Sequence, residues 1–343
     1  MNLFGLWRHK GRVYLGRTVM EAYVMKTMKA SICVAVTALA LSLSVIVPSY
    51  AEQDEASRLN QESKELYRAG KYAAALPLAQ RLLAIREKEF GPDDAMVAMP
   101  LNDLGTIHYN LGQYAVSEPL YKRSLAIREK TLGPDNAEVA SVLNNLGDLY
   151  RAVGRFAEAE PLLKRSIAIR EKTVGPDDPD NVLALSNLAA LYANQGRYDQ
   201  AEPLFKRGLA VLQKAHGPND PEATVLMNNL ADIYTNRHRY ADAERLLKRS
   251  IAVTEKAFGP DHPDIAQALN NLAAVYGRQG RTADAERFYK RSVATFEKTF
   301  GPNHPDLADV LENLASLYKD NGRYANASAF QAVDGHSREG RFA

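Results

Sequence analysis

Apolar residues along this chain follow the spacing of helices rather than that of strands. Within residues 137–178, large apolar side chains recur every three or four positions up to Tyr150, and a second series runs from Leu162 to Ile169. Gly154 separates the two series, and a glycine after a helix end tolerates the positive φ of a tight turn. The pattern predicts two amphipathic helices joined by a short turn.

This helix pair is one copy of a repeat of fixed length. Gly-Pro pairs recur every 42 residues without insertion, beginning at Gly91, Gly133, Gly175, Gly217, Gly259 and Gly301. Six units start at 53, 95, 137, 179, 221 and 263, and a partial seventh starts at 305. Such a period is typical of a solenoid, because a single helix pair cannot bury its apolar faces alone. We expect an all-α array over 52–330 and an irregular tail at 331–343.

Small residues recur where the two helices of a unit must approach each other. On the first helix they are Gly105, Gly147, Ala189, Ala231, Ala273 and Ala315, and on the second Ala159, Ala201, Ala243, Ala285 and Ala327. Tyrosines fill the space beside them at Tyr150, Tyr192, Tyr234, Tyr276 and Tyr318. His238 replaces a turn glycine, which predicts local strain. Pro119, Pro161 and Pro203 are expected about four residues into the second helix, where a missing N–H costs little.

These motifs carry a family resemblance. The pattern L-N-N-L-x-x-L-Y, the segment A-E-P-L-x-K-R-S and the loop G-P-D-H-P-D resemble the 42-residue tetratricopeptide repeat of kinesin light chains and their bacterial relatives, from residue 53 to about 330. The resemblance implies a right-handed superhelical α-solenoid of helix-turn-helix repeats. It also implies that the first helices line a concave groove that holds extended peptide segments.

The first 51 residues have the layout of a secretory signal peptide. Lys26 and Lys29 precede an apolar run over 31–47, and Pro48 and small residues lead to a cleavage site before Glu52. The stretch before Met25 is long for such a leader, so translation starting at Met25 or Met28 is an alternative. We expect an exported protein, periplasmic or secreted in a bacterium. An uncleaved inner-membrane anchor over 30–51 is the other possibility.

The charge of the remaining chain gives no reason to expect nucleic acid as a partner. Residues 52–343 hold 37 basic and 40 acidic side chains, a net charge of −3. The second helices nevertheless carry basic KRS and REK segments. Glutamates precede their lysines by four residues, as in Glu118 and Lys122 or Glu160 and Lys164, a spacing that stabilises exposed helices. This favours a solvated, paired face over an anion-binding patch.

Acidic residues and histidines beside the Gly-Pro turns raise the question of metal binding. His262 and His304 are single histidines in loops 42 residues apart, and the loops at 91 and 133 have none. One histidine per loop offers too few convergent ligands for a metal site. Pro263 pre-sets φ at the first position of the next helix, and Asp264 suits its first turn. We therefore interpret the loops as structural joints and expect no metal.

Asparagines at one position of successive first helices are the best candidates for function. They are Asn145, Asn187, Asn229, Asn271 and Asn313, with Asp103 at the same position of an earlier unit. An amide offers both donors and an acceptor, as a peptide backbone requires, and the resemblance places this position in the groove as a backbone clamp. Asp148 and Asp232 lie on the same face, three residues further along. The alternative is that these amides bond neighbouring helices, and both roles can hold together.

Nothing else in the sequence points to chemistry. The chain contains no nucleophile elbow, zinc-protease or nucleotide-binding motif, and His108 takes a core tyrosine position. No enzyme, cofactor or small-molecule substrate is therefore expected. We predict a scaffold that binds extended peptide segments of partner proteins in its groove. The alternative is a structural solenoid that associates end to end, because the last unit lacks the usual polar second helix.

Overall fold

The computed structural model describes residues 7–9, 12–14, 53–301 and 305–323. Two three-residue strands, β1 (Trp7–His9) and β2 (Arg12–Tyr14), pair antiparallel. The rest of the predicted leader at 1–51 lies outside the described residues, as do His304, Ala327 and the predicted tail at 331–343. Within the described part, no helix combines the length and apolar character needed to cross a membrane.

The chain divides into two compact units, Met1–Leu111 and Gly112–Ala343. The helices of the first unit are α1 (53–68), α2 (Tyr72–Phe90) and α3 (Ala95–Asn110). The second unit holds α4 (Tyr114–Leu132), α5 (Ala137–Ala152), α6 (Phe156–Thr173), α7 (Val182–Asn194), α8 (Tyr198–His216), α9 (Ala223–Asn236), α10 (Tyr240–Phe258), α11 (Pro263–Arg278), α12 (Thr282–Phe300) and α13 (Pro305–Asp320). A single 3₁₀ turn, Pro179–Asn181, precedes α7. The predicted all-α solenoid of helix pairs is confirmed.

Within the second unit, each helix packs against its sequence neighbours, and first helices also contact the next first helix, as α5 does α7 and α7 does α9. Small residues permit the close approach. A Cβ built on Gly147 would lie 2.7 Å from Leu163 Cγ, a distance that Cβ contacts do not reach. Ala159 and Leu163 are fully buried, and Tyr150 is 4% exposed. The predicted pairing of small against large residues therefore holds.

The turns between the two helices of a unit have the positive φ that the sequence analysis predicts for this position. Gly154 and Gly196 have φ of 78° and 71°, and His238 adopts φ 57° at the equivalent position. An L-residue with a side chain is disfavoured in this region by about 1–2 kcal/mol. His238 is thus a strained substitute for glycine.

The expectation for the prolines was wrong in one respect. α6 begins at Phe156, so Pro161 is its sixth residue rather than about its fourth. At that depth an N–H would normally donate to the carbonyl four residues earlier, that of Ala157. The prolines therefore each remove one helical hydrogen bond, and helices α4, α6 and α8 accommodate them without ending.

Candidate peptide-binding groove

A cleft of about 800 Å³ lies along α5, α7 and α9 in the second unit. Its lining includes two of the predicted asparagines, Asn187 and Asn229. Beside them stand Leu183 and Val225, which are 60% and 59% exposed. Most of its lining residues belong to first helices, with Arg170 of α6 and Leu212 of α8 beside them. It is therefore the candidate binding site of this unit.

Some of the predicted asparagines bond along the stack of first helices. The Asn187 Nδ2 donates to the Asn144 Oδ1 at 3.0 Å, and the Asn313 Nδ2 donates to the Asn270 Oδ1 at 3.1 Å. The acceptors are buried, Asn144 at 3% exposure and Asn270 at 7%. The alternative role, bonding between neighbouring helices, is thus present at Asn187 and Asn313. Sequence reasoning did not identify their acceptors, which are the first asparagines of the N-N pairs.

This amide ladder is interrupted around α9. Ser186 replaces the acceptor that Asn229 would meet, and the exposed Asn229 side chain makes no hydrogen bond with the described residues. On the other side, Asn271 accepts from the Gln267 Nε2 at 3.2 Å, and the buried Asn228 Oδ1 has no hydrogen-bond partner in the described part of the chain. Asn229 therefore offers a free amide to the cleft. The half-buried Asn145 holds the same position on α5.

The predicted acidic residues do not converge on one place. Asp148 pairs with Arg151 at 2.7 Å on α5. The exposed Asp232 accepts from the Asn236 Nδ2 at 3.3 Å, and desolvation by the surrounding protein raises the pKa of its carboxyl group, with Arg278 opposing.

Asp103 belongs to the first unit, which has a cavity of its own. This cavity has a volume of about 360 Å³, and Asp103 lines it together with Lys64, Tyr67 and Arg68. The Tyr67 hydroxyl accepts from the Asn110 Nδ2 at 3.2 Å. Both this cavity and the cleft of the second unit therefore have basic and acidic side chains in their lining.

The lysines of the KRS segments take part in what we call shared-glutamate joints, in which one glutamate accepts from a lysine, a tyrosine and an arginine. At one joint, Glu160 of α6 accepts from the Tyr192 hydroxyl at 3.0 Å, from the Arg197 Nη1 at 2.8 Å and from the Lys164 Nζ at 2.6 Å. The Arg197 guanidinium lies 4.2 Å from the Tyr192 ring centroid. Hydrogen bonds from Arg197 and Lys164 lower the pKa of Glu160 to about 2, against the opposing effect of burial.

Copies of this joint recur through the second unit. Tyrosine hydroxyls donate to Glu118, Glu244 and Glu286 at 2.9, 3.1 and 2.9 Å. The predicted Glu–Lys pairs are confirmed, at 2.6–2.7 Å for Glu118, Glu160, Glu202, Glu244 and Glu286. The face is solvated only at the lysines, because the glutamate side chains are mostly buried. The sequence prediction missed the tyrosine and arginine partners, which lie on the next repeat. Their constant separations, 32 and 37 residues from the glutamate, were the available signal.

The Gly-Pro loops connect each repeat to the next and cap the helix that follows. Each described loop supplies a cap that accepts from the backbone N–H two residues later, and the caps are Asp94, Asn136, Asp178, Asp220 and His262. Loop aspartates also pair with a lysine of the following unit, as Asp135 does with Lys172 and Asp177 with Lys214, both at 2.6 Å. His262 in addition stacks on Phe258 with ring centroids 4.6 Å apart. The structural role predicted for this loop is confirmed.

The Gly-Pro loop that follows α8 differs from the other loops, and the sequence analysis did not predict this difference. At the end of α8, the His216 Nδ1 lies 2.9 Å from the Asp220 Oδ2, and Asp220 is 8% exposed. With Glu222 they form a group whose ligand atoms lie within 4.8 Å of one another, a set that could hold a metal ion. Asp220 already binds His216 and caps the following helix turn. These contacts give His216 and Asp220 a structural role in the loop between α8 and α9.

His108 is buried, at 7% exposure, as its core position predicts.

Comparisons with known proteins agree with this architecture. A sequence profile of the tetratricopeptide repeat matches residues 65–130, 97–172, 180–255, 222–298 and 278–332. A search of curated proteins finds no match. Among solved structures, BtubC (BKLC) from P. vanneervenii is 21% identical with a TM-score of 0.54, and the match covers 68% of this chain and 91% of that one.

Two further solved structures have the same fold. A putative kinesin light chain from Podosopora anserina is 24% identical with a TM-score of 0.52, covering 60% of this chain and 98% of that one. PilW, a type IV pilus biogenesis factor, is 21% identical with a TM-score of 0.52, covering 75% and 98%. The repeat profile spans most of the chain, and its matches fall on the helix pairs described above. The chain therefore belongs to the tetratricopeptide repeat family and resembles its kinesin-light-chain-like members.

Proposed function

We propose that the protein is a non-enzymatic scaffold that holds an extended segment of a partner protein in the cleft along α5, α7 and α9. The observation that carries this proposal is the free amide of Asn229, which lines the cleft together with the exposed side chains of Leu183 and Val225. An amide can pair with both the N–H and the C=O of a bound backbone, and exposed aliphatic side chains gain from being covered.

The contrast with the rest of the repeat supports this assignment. The glutamates, lysines and arginines of the joints are engaged with one another, so they offer few free groups to a partner. Proteins of repeating helix pairs use the surface formed by successive first helices for binding, because that surface is continuous over many units. No arrangement of a nucleophile and a base in the described residues suggests catalysis.

The test is site-specific photo-crosslinking in the organism that produces the protein. A photoreactive residue in place of Leu183 should crosslink a partner, whereas one in place of Arg245, a 77% exposed side chain on α10, should not. Mass spectrometry of the adduct should map to a single extended segment. Asn229→Ala should weaken the crosslink, because one hydrogen bond is worth about 1 kcal/mol, roughly a fivefold change in affinity. Crosslinking from position 245 alone would overturn the assignment of the cleft.

A further inference from the structure

The cleft pairs apolar with acidic side chains on two neighbouring helices. Leu183 on α7 and Val225 on α9 occupy equivalent positions, whereas the preceding and following repeats have Ser141, Gln267 and Asp309 there. Three residues before each aliphatic side chain stands a carboxylate that also lines the cleft, Asp180 or Glu222. The apolar-acidic pair is therefore confined to two repeats.

The counterparts of these two carboxylates in the flanking repeats each lie beside a basic side chain. In the repeat before, Glu138 pairs with Arg128 at 3.4 Å, and in the repeat after, Asp264 lies 3.7 Å from His262. Leu212 replaces the arginine that would neutralise Glu222.

The arginine equivalent to Arg128 in the intervening repeat does not neutralise Asp180. Arg170 instead donates to the Ser141 hydroxyl at 2.9 Å. In the described part of the chain, neither Asp180 nor Glu222 makes an ion pair within 4 Å. Glu222 comes within 4.8 Å of His216, whose Nδ1 is bonded to Asp220.

Two arginines also line the cleft. Arg151 is neutralised by Asp148 at 2.7 Å, and Arg170 reaches toward Ser141 on α5. Asp180 and Glu222 are thus two carboxylates of the cleft that have no ion-pair partner in the described part of the chain, whereas its arginines are bonded elsewhere. A ligand with cationic side chains over α7 and α9 would supply the missing partners.

The distance between α7 and α9 determines which ligand can contact both apolar-acidic pairs, one on each helix. Packed helices lie about 8–10 Å apart. A ligand in the polyproline II conformation has three residues per turn and rises about 3.1 Å per residue, so side chains three residues apart lie on one face about 9 Å apart. Each carboxylate lies in the turn that precedes its helix, three residues before the aliphatic side chain. A lysine or arginine next to an apolar ligand residue is long and flexible enough to reach this carboxylate.

We propose that this cleft selects an extended segment of another protein in which two apolar side chains, three residues apart, are each accompanied by a lysine or arginine. The inference rests on the proposed function and specifies its ligand. The apolar side chains cover Leu183 and Val225, the cations pair with Asp180 and Glu222, and Asn187 and Asn229 hold the backbone between them.

The test uses the full-length protein and three labelled peptides in a Gly-Ser-Thr background, with binding followed by fluorescence anisotropy. One peptide has two leucines three residues apart, each followed by lysine. The second has glutamate in place of lysine, and the third keeps the lysines but replaces the leucines with serine. We expect the leucine-lysine peptide to bind at least about tenfold more tightly than either of the others.

Variants of the protein locate the effect. Asp180→Asn combined with Glu222→Gln should weaken the leucine-lysine peptide by about tenfold, because both cations lose their partners. Asp264→Asn, at the equivalent position one repeat beyond the cleft, should leave affinity unchanged. Arg170→Gln should leave it unchanged or strengthen it. The altered side chains are exposed or form no ion pair, so circular dichroism should be the same for all variants.

Four results would overturn the inference. Tighter binding of the glutamate peptide, weakened by Arg170→Gln, would indicate an acidic ligand. Equal binding of all three peptides that still depends on Asn229 would support the groove as a binding site but show that it does not select by charge. Binding of none of the peptides, with the crosslink from position 183 still observed, would lead to the same conclusion. Binding of residues 324–343, with the same dependence on Asp180 and Glu222, would assign the cleft to a second copy of this chain.

Discussion

The shared-glutamate joints and the cleft arise from the same 42-residue repeat. They differ in how similar the residues at equivalent positions are from one repeat to the next. Glu118, Glu160, Glu244 and Glu286 meet a tyrosine hydroxyl at 2.9–3.1 Å. In the cleft, by contrast, the equivalent positions change from serine to leucine, valine, glutamine and aspartate. Glu202 binds Arg237 in addition to the usual lysine and arginine, but it too connects one repeat to the next. The joint varies little because it fixes how neighbouring repeats stack. The cleft is free of that constraint, so its differences are where specificity can reside.

Acid should act on the joints more strongly than any single substitution. The pKa values of Glu118, Glu160 and Glu286 are lowered to about 2 from 4.5. Their stabilisation is complete above about pH 4.5 and is lost as the pH falls towards 2, because protonation removes the charge that the lysines and arginines bind. Each of these glutamates is about four-fifths buried, and each contributes on the order of 2 kcal/mol at neutral pH.

The measurement compares urea unfolding of the wild type with that of the triple variant Glu118→Gln, Glu160→Gln and Glu286→Gln. We expect the wild type to be more stable by several kcal/mol at pH 7. The difference should shrink to near zero near pH 2, where protonated glutamate resembles glutamine. A difference that stays constant with pH would show that the joints do not depend on ionised glutamate.

A single joint can be broken by Glu160→Ala. This substitution leaves Tyr192, Arg197 and Lys164 without their common acceptor, and we expect it to lower the free energy of unfolding by about 2 kcal/mol. Glu158→Ala is the matched control, because Glu158 lies on the same helix and bonds Arg155 at an exposed position. It should change stability by less than about 0.5 kcal/mol. Equal effects of the two substitutions would contradict a special role for the shared glutamate.

The asparagines sharpen the comparison within the cleft itself. Asn187→Ala removes a bond to the buried Asn144 and should destabilise the fold by about 1 kcal/mol. Asn229→Ala removes no bond in the described structure, so its effect on stability should stay within about 0.5 kcal/mol while peptide affinity falls. Thermal melts and anisotropy on the same samples separate the two. If Asn229→Ala melts as early as Asn187→Ala, then its amide has a structural role.

The smallest effect concerns a turn where one repeat departs from the others. His238→Gly should raise the free energy of unfolding by a few tenths of a kcal/mol, because glycine accepts φ 57° without strain but has greater freedom when unfolded. Loss of the contact between the His238 Nδ1 and the Tyr240 hydroxyl at 2.7 Å limits the gain. Gly196→Ala, at the equivalent turn with φ 71°, should destabilise by about 1 kcal/mol. A stabilising Gly196→Ala would mean that these turns relax freely.

Local patterns predicted the fold well because the repeat displays every constraint several times. The helix pairs, the turn glycines and the small residues beside Tyr150 all follow from spacing within one unit. Pro161 was misplaced because the sequence alone does not fix where α6 begins. The role of Glu160 was only half predicted, since its lysine lies on the same helix but its tyrosine and arginine lie on the next repeat. The hydrogen bonds between asparagines could not be predicted from the sequence. Which asparagine of each N-N pair contacts the neighbouring first helix depends on how far one helix is displaced along the other.

The exact 42-residue register of the shared-glutamate joints also bears on inheritance. Each glutamate needs only a tyrosine 32 residues and an arginine 37 residues further along the chain. A unit duplicated or deleted in frame by recombination between these similar stretches would therefore meet compatible partners at both of its ends. The array can thus change in length by whole units without new compensating mutations, while the side chains carried by each unit rearrange the order of surfaces offered to a ligand.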